Sequence, residues 1–198
     1  MSDVPTTPRR PVAQRLREVA KDLFYRQGIR ATGVEELCRV AGTTKIGLYR
    51  AFPSKDALIA SILRDDCQEM ACWYEKAKAA ELPPRERPAA FLARAADELR
   101  RPGFRGCALG LAIAEFPDPE HPARKVADAH KRKVRDLIRQ ICAEAGAAEP
   151  EKLGDGILLL MEGAFASVAY LGNEEAANSL ERGGQILLAA ALPPDEVF

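Results

Sequence analysis

The chain has 198 residues, 47% apolar and 29% charged, enough for one large domain or two small ones around a real core. Its length holds no uninterrupted run of ~20 apolar residues, as a membrane helix needs, and the start, MSDVPTTPRRP, has no apolar segment of a secretory signal. The net charge is zero, but residues 1–53 carry ten basic and five acidic side chains (+5), and the remainder carries 19 and 24 (−5).

A basic end on an acidic body points to a polyanion contact at one end only. Five scattered cysteines without a Cys-x-x-Cys pair fit a reducing cytoplasm and argue against a disulfide framework or a zinc site. Abundant Ala and Leu, with few β-branched runs, favour helices over sheet.

Residues 1–11, with Pro at 5, 8 and 11, read as a disordered arm. From Val12 the apolar positions Val12, Leu16, Val19, Ala20, Leu23 and Phe24 mark one face of a helix, and Gly28 stops it. Thr32 with Glu35 three residues on is a capping-box signature for a second, short helix that ends at Gly42. Thr43 or Thr44 caps a third, which runs to about Ala51 and is stopped by Pro53. Ser54 caps a long fourth helix reaching about Ala80. Further helices are predicted over about 88–101, 107–116, 122–145, 150–171 and 174–191. With nine helices and no strand pattern, the fold class is all-α. The expected division is an arm (1–11), a three-helix unit (12–53) and a helical body (54–198).

Three helices with a tight Gly42-Thr43 turn between the second and third describe a helix-turn-helix. The third helix of such a unit enters the major groove of double-stranded DNA, and it must be short so that the chain can leave at once. Thr43, Thr44, Lys45 and Arg50 supply hydroxyls and cations on it, and Tyr49 reaches the backbone with its hydroxyl. Lys55 and Thr32, at neighbouring helix starts, are placed for phosphate. Gly47 costs the helix about 1 kcal/mol relative to Ala. Its missing side chain reads as room for close approach to a base edge or thymine methyl. Leu48 and Phe52 read as core.

The run Gly28…Thr32…Val34-Glu35-Glu36-Leu37…Ala41-Gly42-Thr43-Thr44-Lys45…Leu48-Tyr49-Arg50-Ala51-Phe52-Pro53-Ser54-Lys55-Asp56-Ala57-Leu58 resembles the DNA-binding region of the TetR/AcrR family of bacterial transcription regulators. The resemblance is dense over about residues 12–62. It departs from the family pattern at Gly33, Ile46, Gly47 and Ala51, where side chains on the DNA face are lost or changed. It implies an all-helical homodimer whose last two helices pair across a two-fold axis. It also implies a small-molecule pocket in the middle helices, and repression of an operator that is relieved by the ligand.

In the body, Trp73, Phe91, Phe104, Leu111, Met161 and Phe165 are candidates to line a pocket for an apolar or amphipathic effector. His130, on the apolar stripe between Val126 and Val134, is a candidate polar handle, with Glu115 as its partner. Cys107 follows Arg105 and opens a helix, so it is the thiol best placed for redox sensing. The first alternative is a DNA-binding regulator that senses through Cys107 rather than through a ligand pocket; the more remote one is a small hydrolase built on Cys107, His130 and Glu115, but no nucleophile motif, phosphate loop or metal cluster accompanies it, so neither catalysis nor a cofactor is expected. The eighth helix is apolar on two sides and needs two partners. Leu153, Ile157, Leu160, Ala164, Val168 and Leu171, with Gly184 and Leu187 of the ninth, are assigned to the dimer face.

Overall fold

Helices begin and end in this chain where proline, glycine and small polar residues dictate. A computed structural model describes residues 10–79 and 82–192, with side chains described outside 69–79. Among the described residues the regular structure is all helical. In order these are α1 (Val12–Gln27), α2 (Val34–Val40), α3 (Lys45–Ala51), α4 (Lys55–Ala79), α5 (Arg87–Arg100), α6 (Ala108–Glu115), α7 (Pro122–Glu144), α8 (Pro150–Leu171) and α9 (Asn173–Ala191), with a 3-10 turn at Pro84–Glu86. Pro122 and Pro150 occupy the first positions of α7 and α8, where a missing N–H costs nothing. Ser54 Oγ accepts from the Ala57 N–H at 3.0 Å and caps α4. Gly42 turns the chain between α2 and α3 at φ 61°, a left-handed conformation that glycine adopts without strain.

Two buried clusters organise the molecule. One joins Leu16, Ala20 and Leu23 of α1 to Leu37 and Leu48, then continues into Leu58, Ile59 and Ile62 of α4, Leu109 and Ala112 of α6, and Ala123 and Ala127 of α7. Packing therefore does not stop at residue 53: the basic head shares its core with α4, α6 and the start of α7. The second cluster joins Phe91, Leu92 and Leu99 of α5 to Val134, Ile138 and Ile141 of α7, Leu153, Ile157 and Met161 of α8, and Ala176, Ala177 and Leu180 of α9. Helix α7 belongs to both.

The α7–α8 crossing is close because Gly154 has no side chain. A Cβ there would stand 2.9 Å from the Arg139 backbone. Beside it, Arg135 and Arg139 each donate two hydrogen bonds to Asp155, at 2.6–2.9 Å, and these bonds hold its carboxyl well below the usual range. Arg100 of α5 likewise ties α9 through Glu181 and Asn178. Helix α8 is long and apolar enough, by length and composition, to cross a membrane. Here it lies between α7 and α9, and its surplus apolar surface is on the outer side.

Candidate nucleic-acid interface

Helix α3 is seven residues long and fully buries a single side chain, Leu48. So short a helix has little stability of its own and is held by tertiary contacts. Thr44 caps it, accepting from the Gly47 N–H at 3.1 Å. Arg15 of α1 clamps the turn in front, donating to Ala41 O and Gly42 O at 3.0 Å each. Arg15 carries no motif signal. Its role depends on carbonyls 26 and 27 residues away, which local pattern cannot reveal.

The opposite side of α3 faces solvent. Thr44, Lys45, Ile46, Tyr49 and Arg50 are all exposed there, Ile46 to 74%. Lys45 donates to Glu35 of α2 at 2.7 Å, and that bond lowers the Glu35 pKa. Both groups are well exposed, so the pair is weak and a phosphate can replace the carboxylate. Thr43 lies beside this face, half-buried. Thr43, Thr44, Lys45, Gly47, Tyr49 and Arg50 thus come together around one surface.

Three details differ from expectation. Thr32 does not cap α2: Gly33 takes that position, and Thr32 is buried with its hydroxyl donating to Gly28 O at 2.8 Å. Its side chain closes the α1–α2 loop and does not face a groove. Lys55 turns inward, donating to Ile29 O at 2.6 Å with its ammonium 5.8 Å from the Phe24 ring centroid, and burial lowers its pKa. A buried carbonyl and an aromatic face compete successfully with solvent for that cation. Gly47 makes room within the protein. A Cβ there would lie 2.4 Å from Thr43 Oγ1, so the hydroxyl occupies the space a side chain would need.

The head is bolted to the body at the end of α1. Glu115, the last residue of α6, accepts from the Ile29 and Arg30 N–H groups at 2.8 and 2.7 Å. Arg105 N–H donates to the Tyr25 hydroxyl at 2.6 Å, which donates to Gly106 O at 3.0 Å, and the Arg105 guanidinium also donates to Arg26 O. Glu115 is therefore spent on the head, which removes it from the pairing with His130 and from the Cys107–His130–Glu115 set.

The body candidates are dispersed. Phe91, Phe104 and Met161 are packed in the second core, and Phe165 meets Phe104 edge to face at 5.3 Å. Leu111 is exposed on the outer side of α6 rather than lining an interior space. His130 is buried, and burial, then Lys131 and Lys133, lower its pKa and keep it neutral. Trp73 lies outside the residues whose side chains are described.

The residues assigned to a dimer face do not form one outward surface. Leu153, Ile157, Val168 and Gly184 are buried in the protomer's own core. Leu160 packs toward Gly183 and Leu187 toward Gly156, stitching α8 to α9, while Ala164 and Leu171 lie at the margin, Ala164 half-buried and Leu171 exposed. The outward apolar residues are Leu159 (71% exposed), Tyr170 (76%) and Ile186 (73%), with Gly163 open beside them. Periodicity identifies two apolar sides of α8 but not which one faces out.

Residues 16–62 match the family model of bacterial regulatory proteins, tetR family. The chain is similar to SCO4454, a TetR-family transcriptional regulator from Streptomyces coelicolor, with 28% identity and a TM-score of 0.87 over 91% of this chain and 96% of that one. It is 32% identical to a TetR transcriptional regulator (sav143) from Streptomyces avermitilis, with a TM-score of 0.76 over 91% of this chain and 97% of that one. The HTH-type transcriptional regulator YjdC of Escherichia coli K12 is 24% identical over 148 residues, 74% of this chain and 78% of its own.

Proposed function

This chain belongs to the TetR family of bacterial DNA-binding transcriptional regulators, and we propose that it acts in the cytoplasm as a homodimeric repressor of a palindromic operator, released by a small apolar or amphipathic effector. The observation that carries the DNA reading is the solvent-facing side of α3, where Lys45, Tyr49 and Arg50 surround the exposed apolar Ile46 on a helix held from behind by Leu48. Lys45, Tyr49 and Arg50 position the helix on phosphates. Ile46, which lacks hydrogen-bonding atoms, reads a thymine methyl in the major groove.

The outer strip of Leu159, Gly163, Tyr170 and Ile186 supports a second copy as the dimer partner. An exposed apolar strip on two adjacent helices is costly in a lone monomer, and an isologous contact covers it on both copies. A two-fold protein then meets a two-fold operator. The effector belongs in the body, among α4, α5, α7 and α8, where its differential affinity shifts the head through the Glu115 and Arg105 contacts.

The test is selection of bound duplexes from a random pool with the full chain, with its mass measured by sedimentation. A palindromic consensus, bound by a species of twice the monomer mass and weakened steeply by salt, is expected. A single half-site bound by a monomer would sink the dimer reading. An effector that dissociates the operator should also change Trp73 fluorescence; an unchanged signal places the pocket elsewhere.

A further inference from the structure

The reading face of α3 lacks a side chain on one flank, and a hydroxyl from the preceding turn stands in its place. An α-helix turns about 100° per residue. With Leu48 pointed into the core, Ile46 and Arg50 therefore face outward, and Tyr49 and Gly47 flank them on opposite sides. Tyr49 brings a hydroxyl to its flank. Gly47 brings nothing, and Thr43 Oγ1 fills the volume where a residue-47 side chain would begin. The substitute is firmly placed. Thr43 N–H donates to Cys38 O at 2.9 Å, and Arg15 holds Ala41 O and Gly42 O on the turn just before it.

The two threonines at this helix start have different tasks. Thr44 Oγ1 accepts from the Gly47 N–H at 3.1 Å, so it is engaged in capping. Thr43 Oγ1 makes no hydrogen bond among the described residues. It is half-buried, so DNA closing over α3 strips its remaining water. A hydroxyl that loses water without gaining a partner weakens binding. It therefore discriminates: a base edge that offers a donor or acceptor there is kept, and one that offers neither is rejected. Threonine is also stiff at χ1, so the hydroxyl keeps one direction as long as residue 47 has no Cβ to displace it.

We propose that Thr43 is a specificity-determining residue of the operator contact, its hydroxyl lodged over Gly47 and hydrogen-bonded to a base edge in the major groove. The N-terminal end of a reading helix is the part that meets base edges, and Thr43 stands there, just before α3 begins at Lys45. A threonine hydroxyl pairs with donor and acceptor edges alike, so it supplies the polar part of the readout and Ile46 the apolar part. Thr43 and Gly47 act as one unit. A methyl added at 47 drives the Thr43 hydroxyl into another rotamer without removing it. With Thr43 cut back to Ala, the space opens: the remaining Cβ is 3.8 Å from a Cβ at 47, and Thr44 Oγ1 is 3.6 Å away, both ordinary contacts. A serine at 47 then carries the hydroxyl on α3 itself.

This proposal rests on the chain being a DNA-binding regulator. Duplexes are selected from a random pool by the full-length wild-type protein and by each variant, with folding checked by far-UV circular dichroism and affinity by fluorescence anisotropy. Thr43→Val keeps the shape and drops the hydroxyl. It should lose the preference at one base-pair position, leave the others unchanged, and bind the wild-type consensus about tenfold more weakly. Gly47→Ala, which retains the hydroxyl but displaces it, should relax the same position. The two changes together should weaken binding little more than either alone. Thr43→Ala should lose that preference as well, and Thr43→Ala with Gly47→Ser should regain one there. A wild-type consensus that Thr43→Val reproduces overturns the proposal, as does a loss of affinity equal for every sequence. Relaxation of different positions by Thr43→Val and Gly47→Ala overturns it too. Wild-type protein that selects no duplex instead overturns the DNA reading itself.

Discussion

The head and the body are both helical and both buried at their centres, but they distribute support differently. In the head, α2 and α3 each have seven residues and bury two and one side chains. In the body, α5 and α7 bury six and seven. A reading helix must keep most of its surface outward, so few anchors remain to hold it. A body helix spreads the same task over many contacts. Damage to a single anchor should therefore silence the head and merely weaken the body.

The sharpest test pairs two truncations. Leu48→Ala removes the one buried side chain of α3 and should cost ~3 kcal/mol. Operator binding by fluorescence anisotropy should be lost while far-UV circular dichroism stays near wild type. Ile138→Ala in the body core should cost a similar amount in a denaturation curve and leave operator affinity unchanged. Equal loss of binding in both would erase the distinction between the regions.

Next is the junction. Glu115→Ala leaves the Ile29 and Arg30 N–H groups without their acceptor and should cost ~2 kcal/mol, seen as a drop of about 5 °C in Tm. Glu115→Gln should recover part of it. If head and body are coupled there, operator affinity falls in Glu115→Ala at temperatures where the protein is still fully folded. A smaller effect is expected at the reading face. Ile46→Ala should leave Tm unchanged and weaken operator binding by about 1 kcal/mol. Deoxyuridine in place of the contacted thymidine should cause the same loss, and the two changes together should cost little more than either alone. Additive losses would mean that Ile46 and that methyl do not touch.

The smallest effect is in the body. His130 has its pKa lowered by burial, so the unfolded chain binds its proton first as pH falls. Stability from this group is complete above the unfolded value near 6.5 and declines on acidification toward the lower folded pKa. His130→Gln should flatten that slope in urea melts taken between pH 7 and 5. A slope unchanged by the substitution would assign the acid sensitivity to other groups.

Much of the head was legible because its signals are local. The stops at Gly28 and Gly42, the caps Thr44 and Ser54, and the sequence from Leu48 to Leu58 depend on neighbours a few residues apart. Thr32 and Lys55 show where that legibility ends. Both sit at positions where a hydroxyl or an ammonium suits a phosphate, and both are used inward, by Gly28 O and Ile29 O. Ile46 was visible as a departure from the family pattern, but its significance comes from its exposure, which no spacing encodes. In the body, Glu115 looked like a helix end or a partner for His130. Its actual partners are 85 and 86 residues earlier in the chain.

Helix positions, their ends and the all-helical class follow from the chain alone, because caps, glycine stops and apolar periodicity act within a turn or two. Which side of each helix faces outward does not. Helix α8 is apolar on two sides, and local pattern is the same whichever side is buried. Packing against α7 and α9 consumed the side bearing Leu153, Ile157 and Val168 and left Leu159 and Tyr170 to solvent. The same long-range packing set Lys131 against Cys107 and Glu115 against the α1–α2 loop, since those contacts exist only once distant segments have been brought together.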